Sequence, residues 1–147
     1  MNELIIVPMT AEHIHDIAEI EKNCFSTPWS EKALAEELNV PSAVFLTALS
    51  SGTIAGYMGL QMAGGVGYVC NVAVSPGFRR RGVASALIQA QIDCGKENGL
   101  SEITLEVRSS NAAARALYET FGFVRLGTRP HFYSNPTENA EIYSLYL

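Results

Sequence analysis

The stretch Val72-Ala73-Val74-Ser75-Pro76-Gly77-Phe78-Arg79-Arg80-Arg81-Gly82-Val83-Ala84 limits the folds open to this chain more than any other segment. A run of strand-forming residues stops at a Pro-Gly turn, three arginines follow, and a glycine opens a segment with helical periodicity. A strand therefore passes through a tight loop into the N-terminus of a long helix. Backbone N–H groups and positive charge converge there, which is how a protein holds an anion such as a pyrophosphate. Three basic residues at a turn also commonly form a solvated charge cluster. Position favours the anion site, because cations are unfavourable beside the positive end of a helix dipole unless an anion joins them. Two nucleotide motifs are missing: no Lys-Ser or Lys-Thr follows Gly82, and Gly77 and Gly82 are the only glycines nearby. Nucleotide hydrolysis and dinucleotide binding both lose support.

The flanking pattern gives the element order. Leu4 to Val7 reads as a strand, and Thr10 caps a helix with Ile14, Ile17, Ala18 and Ile20 on or near one face. Phe25 to Trp29 interrupts it. Ser30 caps a second helix bearing Ala33, Leu34, Ala35 and Leu38, which stops before Pro41 because the residue preceding proline avoids helical angles. Val44 to Ala48, Ile54 to Met62 and Tyr68 to Val74 then read as strands joined by short turns, an antiparallel meander. Gly82 to about Asn98 is a long helix with Val83, Leu87, Ile88 and Ile92 at helical spacing, ended by Gly99. Ile103 to Val107 is a strand, Asn111 to Phe121 a helix closed by Gly122, and Val124 to Thr128 and Ala140 to Leu147 are the last strands, with Arg129 to Asn139 a loop between them. This order is neither a doubly wound alternation nor an all-β pattern. The fold class is α+β (mixed α/β), a mixed sheet with helices on its faces.

At 147 residues the chain is most simply one domain spanning residues 1–147. No apolar run approaches the roughly 18–20 residues that cross a bilayer, and Met1 to Pro8 lacks the basic region and cleavage site of a secretory signal. A cytoplasmic location is the expectation, with no membrane partner. Cys24, Cys70 and Cys94 form no C-x-x-C pair and have no metal-ligand spacing with the histidines, so they are expected to be buried reduced thiols and no metal is expected. Ten Lys plus Arg against fifteen Asp plus Glu give a net charge of −5, which argues against direct nucleic-acid binding. The arginine cluster serves a local anion.

The residues now carry a resemblance. The block from Val72 to Ala84 resembles the acetyl-CoA-binding signature of the GCN5-related N-acetyltransferases (GNAT), Q/R-x-x-G-x-G/A, with Arg79, Gly82 and Ala84 at the marked positions. The element order is also the one that superfamily shows, so the resemblance covers essentially the whole chain and implies a central, mixed, mostly antiparallel sheet flanked by helices. It implies that the backbone of Val72, Ala73 and Val74 bonds the pantetheine arm like an added strand. It also implies that the loop amides of Arg80, Arg81, Gly82, Val83, Ala84 and Ser85 hold the pyrophosphate of acetyl-CoA, the acetyl donor.

Leu105-Glu106-Val107-Arg108-Ser109-Ser110-Asn111-Ala112-Ala113-Ala114-Arg115-Ala116-Leu117-Tyr118-Glu119-Thr120-Phe121-Gly122-Phe123 is a second informative block. Asn111 can cap the helix carrying Ala114, Leu117, Tyr118 and Phe121, and Tyr118, two turns on, projects from the same side, so both can line one groove. Taken alone, Tyr118 reads equally as a core aromatic and Asn111 as a plain cap. The whole string, together with Phe25-Ser26-Thr27-Pro28-Trp29-Ser30-Glu31, is similar to the bacterial ribosomal-protein-alanine N-acetyltransferases, a GNAT subfamily.

Attack of an amine on a thioester needs a proton acceptor, polarisation of the carbonyl and a proton for the departing thiolate. Alternation along Ile103 to Val107 puts Thr104 and Glu106 on the face opposite Ile103, Leu105 and Val107, which makes Glu106 either an exposed strand carboxylate or a base. The subfamily resemblance implies the base, with Tyr118 as acid, Asn111 as a cofactor contact, and a backbone N–H of Val72 to Val74 on the carbonyl oxygen. Cys70 is a rival nucleophile, with no histidine nearby in sequence to activate it. The acceptor implied is the N-terminal alanine of a small-subunit ribosomal protein. The loop Arg129 to Asn139 could close the acceptor site, and Tyr133 matches a recurrent tyrosine of the subfamily, although the basic-aromatic run before it is only partly present as Arg129-Pro130-His131-Phe132. Acetylation of a small-molecule amine and a non-catalytic coenzyme A-binding module are the alternatives; the presence of both Glu106 and Tyr118 favours an enzyme.

Overall fold

The computed structural model describes residues 3–147; Met1 and Asn2, part of the stretch read above for a secretory signal, lie outside the described residues. Strand β1 (Leu4–Pro8) leads through a 3-10 turn (Ala11–His13) into helix α1 (Ile14–Cys24). Thr10 stands at the cap as expected, but the first turn is 3-10 rather than α, with the Thr10 N–H donating to His13 Nδ1 at 3.0 Å. Helix α1 buries Ile14, Ile17, Ala18, Ile20 and Glu21, and ends where Phe25 turns extended at φ −131° and ψ 146°. Ser30 then caps α2 (Glu31–Glu37), its Oγ accepting from the Ala33 N–H at 3.1 Å. A cap of this kind contributes about 1 kcal/mol.

Strands β2 (Ala43–Ser50), β3 (Thr53–Ala63) and β4 (Val66–Val74) form the expected meander. After a 3-10 turn (Pro76–Phe78) come helix α3 (Val83–Glu97), strand β5 (Glu102–Arg108), helix α4 (Ala112–Thr120) and strands β6 (Val124–Tyr133) and β7 (Glu138–Tyr146). The seven strands make one sheet in the order β1-β2-β3-β4-β5-β7-β6, antiparallel except for the parallel pair β4–β5. This is the mixed, mostly antiparallel sheet of the expected α+β class.

Helices cover both faces. On one face Leu87, Ile88 and Ile92 of α3 and Tyr118 of α4 pack with Met58, Leu60, Ile103, Leu105 and Val107. On the other, Ile17 of α1 and Leu34 of α2 pack with Phe45, Tyr57 and Ala73. Along β5, Ile103, Leu105 and Val107 are buried and their neighbours are less so, so the alternation seen in the sequence separates the faces. Gln91 of α3 is a buried polar exception: its Nε2 donates to Val44 O at 2.9 Å and Met58 O at 3.0 Å, pinning the helix to two strands.

Two expectations are corrected. Arg129 to Asn139 is not one long loop: β6 continues to Tyr133 and β7 begins at Glu138, leaving a turn of residues 134–137. β6 is an edge strand, exposed along nearly its whole length, so it has no apolar alternation to read; on such an edge Pro130 loses no ladder bond that matters. The cysteines are free, as expected, but half-buried rather than buried.

Candidate active site

β4 and β5 pair only from Val66–Tyr68 to Glu102–Thr104, and beyond these residues the two strands separate into a notch. The distortion begins on the β3 side. Register passes from Gly59↔Asn71 to Leu60↔Val69, so Cys70 is an extra residue, a bulge that bends β4 and increases its twist. The Ser75 N–H donates to Ala55 O at 2.8 Å and Ala73 lies opposite Tyr57. By alternation the backbone groups of Val72 and Val74 therefore point away from β3, into the notch. Gly56 permits the close approach of β3 to β4 here, since a Cβ on it would lie 2.6 Å from Ala73 O.

The arginine loop leaves this open strand. Arg79 is extended at φ −66° and ψ 150°, Arg80 is left-handed at φ 63°, and Gly82, the residue capping α3, is left-handed at φ 77°. A left-handed non-glycine residue costs about 1–2 kcal/mol, a strain that persists only where the surroundings impose it. Such alternation turns successive N–H groups toward one side, an anion-binding concavity. The first N–H groups of a helix have no partner within it, and Gly82 has no side chain to take those of Val83, Ala84 and Ser85. Arg80 and Arg81 are exposed, the Arg81 guanidinium lying 5.6 Å from the Phe78 ring centre, while Val83 turns its side chain into the core and offers only its backbone. Arg79 points elsewhere, its Nη2 3.5 Å from Cys24 Sγ.

Across the notch stand the side chains of β5 and α4. Leu105 and Val107 face the α3 side, so Glu106 faces the side of the sheet on which α1 packs. Its side chain is 31% exposed and its Oε1 lies 3.5 Å from Arg129 Nη1. Tyr118 is on the α3 side, buried, its ring edge-on to Phe123 with centroids 5.5 Å apart. The Tyr118 hydroxyl makes no hydrogen bond to a described residue. Burial, and then the nearby Tyr133 phenol, push its pKa above the ordinary phenol value. Tyr133 is in turn pushed up to about 12 by burial and by the charge of Glu106, which puts Glu106, Tyr133 and Tyr118 in one electrostatic neighbourhood. Asn111 is exposed at the cap of α4, its Oδ1 accepting from the Ala114 N–H at 3.2 Å.

On the Glu106 side the wall is closed by a bridge between distant segments. The Ser26 hydroxyl, in the α1–α2 connection, donates to Asn135 O in the β6–β7 turn at 2.6 Å. Arg108, at the end of β5, stacks on Tyr133 at 4.5 Å and donates to Pro136 O at 3.0 Å and Ser134 O at 3.2 Å. Sequence reasoning passed over Arg108, and also over Glu21, Tyr57 and Asn71, which meet under the bulge. Glu21 did leave a signal: four residues after Ile17, it is a carboxylate on the apolar stripe of α1. Cys70 is a poor nucleophile here, its thiol pushed up to about 12 by burial and then by the charge of Glu37. No group of three or more potential metal ligands occurs among the described residues. A surface cavity of about 260 Å³ beside Gln89, Lys96 and Leu147 is lined by none of these groups.

Comparison with known proteins agrees with this geometry. The family model described as "Acetyltransferase (GNAT) family" matches residues 14–123. The [ribosomal protein bS18]-alanine N-acetyltransferase of Haemophilus ducreyi is 32% identical over 148 residues, covering 97% of this chain and 100% of the relative. Its Escherichia coli namesake is 35% identical over 114 residues, 78% of this chain and 76% of the relative. The crystal structure of the Escherichia coli ribosomal-protein-S18-alanine N-acetyltransferase superposes with a TM-score of 0.90 at 30% identity, covering 98% of this chain and 94% of that one. With the notch, the arginine loop and these likenesses in agreement, the chain belongs to the acetyltransferase (GNAT) family.

Proposed function

We propose that the protein, acting as one catalytic domain in the cytoplasm, transfers acetyl from acetyl-CoA to the α-amino group of an N-terminal alanine of a small-subunit ribosomal protein. The observation that carries this is the placement of the two proton-transfer groups. Glu106 and Tyr118 lie on opposite faces of the sheet, on either side of the notch bordered by Val72 to Val74. An amine arriving from the α1 face meets a carboxylate. A thiolate leaving on the α3 face meets a phenol whose hydroxyl has no described hydrogen-bond partner.

Residues present fit a pantetheine pyrophosphate: the loop amides of Arg80, Arg81, Gly82, Val83, Ala84 and Ser85 would take the pyrophosphate, the edge of Val72, Ala73 and Val74 the arm, and Asn111 the mouth of the groove. Acetyl-CoA supplies an activated thioester, and no metal is needed. Glu106 takes the proton of the attacking amine, whose pKa of about 7.7–8.0 leaves a substantial minority neutral near pH 7. A notch-facing N–H of Val72 or Val74 donates to the carbonyl oxygen as negative charge develops there. Tyr118, a phenol that holds its proton near neutral pH, donates it to the departing sulfur.

The acceptor class rests on the relatives named above and on charge. A net charge of −5 suits a basic ribosomal N-terminal segment, and no direct nucleic-acid or membrane contact is required. No helix of the described residues is long and apolar enough to cross a membrane. The test is release of free thiol from acetyl-CoA with a panel of alanine-initiated ribosomal peptides, the same peptides blocked at the amine, polyamines and aminoglycosides. Thiol release with the unblocked peptides alone is expected; release only with small amines, or none, overturns the reading.

A further inference from the structure

Glu21 is fully buried, and two of its three side-chain hydrogen bonds lead toward the notch and its α1–α2 wall. Its Oε1 accepts from the Trp29 N–H at 2.9 Å, in the α1–α2 connection that forms the acceptor wall. Its Oε2 accepts from the Tyr57 hydroxyl at 2.7 Å and from Asn71 Nδ2 at 2.6 Å. Asn71 follows the Cys70 bulge, and its Oδ1 accepts from the Val72 N–H at 3.0 Å. That N–H faces the notch, where β5 no longer pairs with β4. A strand amide at an open edge normally bonds water or a new strand. Here it is held by a side chain whose other end is anchored on a buried carboxylate. Burying a carboxylate costs several kcal/mol unless it is well satisfied, so three donors on one buried group mark a position where geometry matters beyond packing.

We propose that Glu21 is a positioning residue for acetyl transfer: through Asn71 it sets the orientation of the notch-facing Val72 peptide, and through the Trp29 N–H it fixes the acceptor wall relative to that amide. This rests on the acetyl-transfer reading above, in which the Val72 N–H meets the thioester carbonyl. With Nδ2 held by Glu21, the Asn71 side chain keeps the amide aimed into the notch and yields its Oδ1 bond when a stronger acceptor arrives. One carboxylate thereby couples the donor and acceptor halves of the site.

The test compares three variants. Asn71→Ala cuts the path to Val72, Glu21→Gln replaces two acceptor oxygens by one, and Tyr57→Phe removes one Glu21 partner while leaving the Glu21–Asn71 and Asn71–Val72 bonds in place. Deleting an oxyanion donor outright costs about 10²–10³ in kcat, so misaiming one should cost at least ~10-fold. Asn71→Ala and Glu21→Gln are expected to lose that much kcat with KM for acetyl-CoA within ~3-fold. Tyr57→Phe should lower Tm and keep kcat within ~3-fold. Calorimetry adds an arm independent of the acceptor: the preference of wild type for acetyl-CoA over coenzyme A should shrink in Asn71→Ala. Wild type releasing no thiol with any amine defeats the acetyl-transfer reading, and the calorimetric arm then still judges the positioning. Unchanged kcat in Asn71→Ala and Glu21→Gln, kcat falling equally in Tyr57→Phe, or an unchanged preference for acetyl-CoA overturns the inference.

Discussion

Gly82→Ala isolates a backbone effect. Gly82 sits at φ 77°, and a Cβ built on it would meet nothing within 4 Å, so the substitution has room but the wrong backbone. The cost is therefore the left-handed penalty alone, about 1–2 kcal/mol for an alanine. If the loop keeps its shape, the cost falls on stability: a ΔΔG of 1 kcal/mol shifts Tm by about 2–4 °C in a domain of this size, so a fall of about 2–8 °C is expected. If the loop relaxes instead, the free protein escapes the penalty, but the amides must be returned to their anion-binding arrangement on binding. The same 1–2 kcal/mol then weakens acetyl-CoA binding by about 5–30-fold. Calorimetric Kd and thermal unfolding on one preparation read both outcomes, and their sum should account for the penalty. Two controls make the attribution specific. Gly64→Ala faces the same penalty at φ 58°, also with nothing within 4 Å of its Cβ, but in the β3–β4 turn, and should lower Tm without touching Kd. Gly82→Asn, whose side chain tolerates this region, should recover part of the loss. Equal Tm and equal Kd for Gly82→Ala and wild type would refute the reasoning.

Four further substitutions extend the tests. Glu106→Gln and Tyr118→Phe should each lower kcat by about 10²–10⁴, the usual range for a general base or acid, with acetyl-CoA Kd and Tm near wild type; for Tyr118→Phe a fall in Tm without a kinetic defect would support a core role instead. Arg108→Lys keeps the charge but loses the planar fork that reaches Ser134 O, Pro136 O and the Tyr133 ring, so peptide KM should rise about 10-fold with acetyl-CoA Kd unchanged in steady-state assays. Glu141 is held down to about 2 by the Ser109 hydroxyl, Arg125 and Thr128, below the about 4.3 of an unfolded chain, so the stability it contributes is present above that value and lost as pH falls from about 5 to 2. Urea midpoints should therefore show Glu141→Gln less stable than wild type at pH 7, with the gap closing toward pH 2; a gap constant with pH would contradict this.

Features decided by a residue and its near neighbours were legible in the chain. Ser30 and Asn111 cap helices because a short polar side chain reaches the amide three residues on, and Gly82 and Gly99 hold left-handed turns. The face of Glu106 followed from a period of two. Features decided by pairing were not. The Cys70 bulge changes no spacing within its own strand and exists only in the register against β3. The full length of β6 does not show in the sequence because the strand is exposed nearly throughout and has no apolar alternation, and a sheet edge tolerates Pro130. For Glu21 the apolar stripe of α1 hints at burial, but its partners do not show, because its donors come from residues 8, 36 and 50 positions away.

These failures share a location. The bulge, the edge of β4 without a partner, the left-handed Arg80 and the buried Glu21 each break a local rule, and all lie between the arginine loop and the α1–α2 connection. Along β5, by contrast, propensity, periodicity and burial agree. A sheet that obeyed those rules throughout would close β4 onto β5 and bury the Val72 N–H in a ladder bond. The irregularities leave that amide out of a ladder bond, donating instead to Asn71, which Glu21 in turn holds.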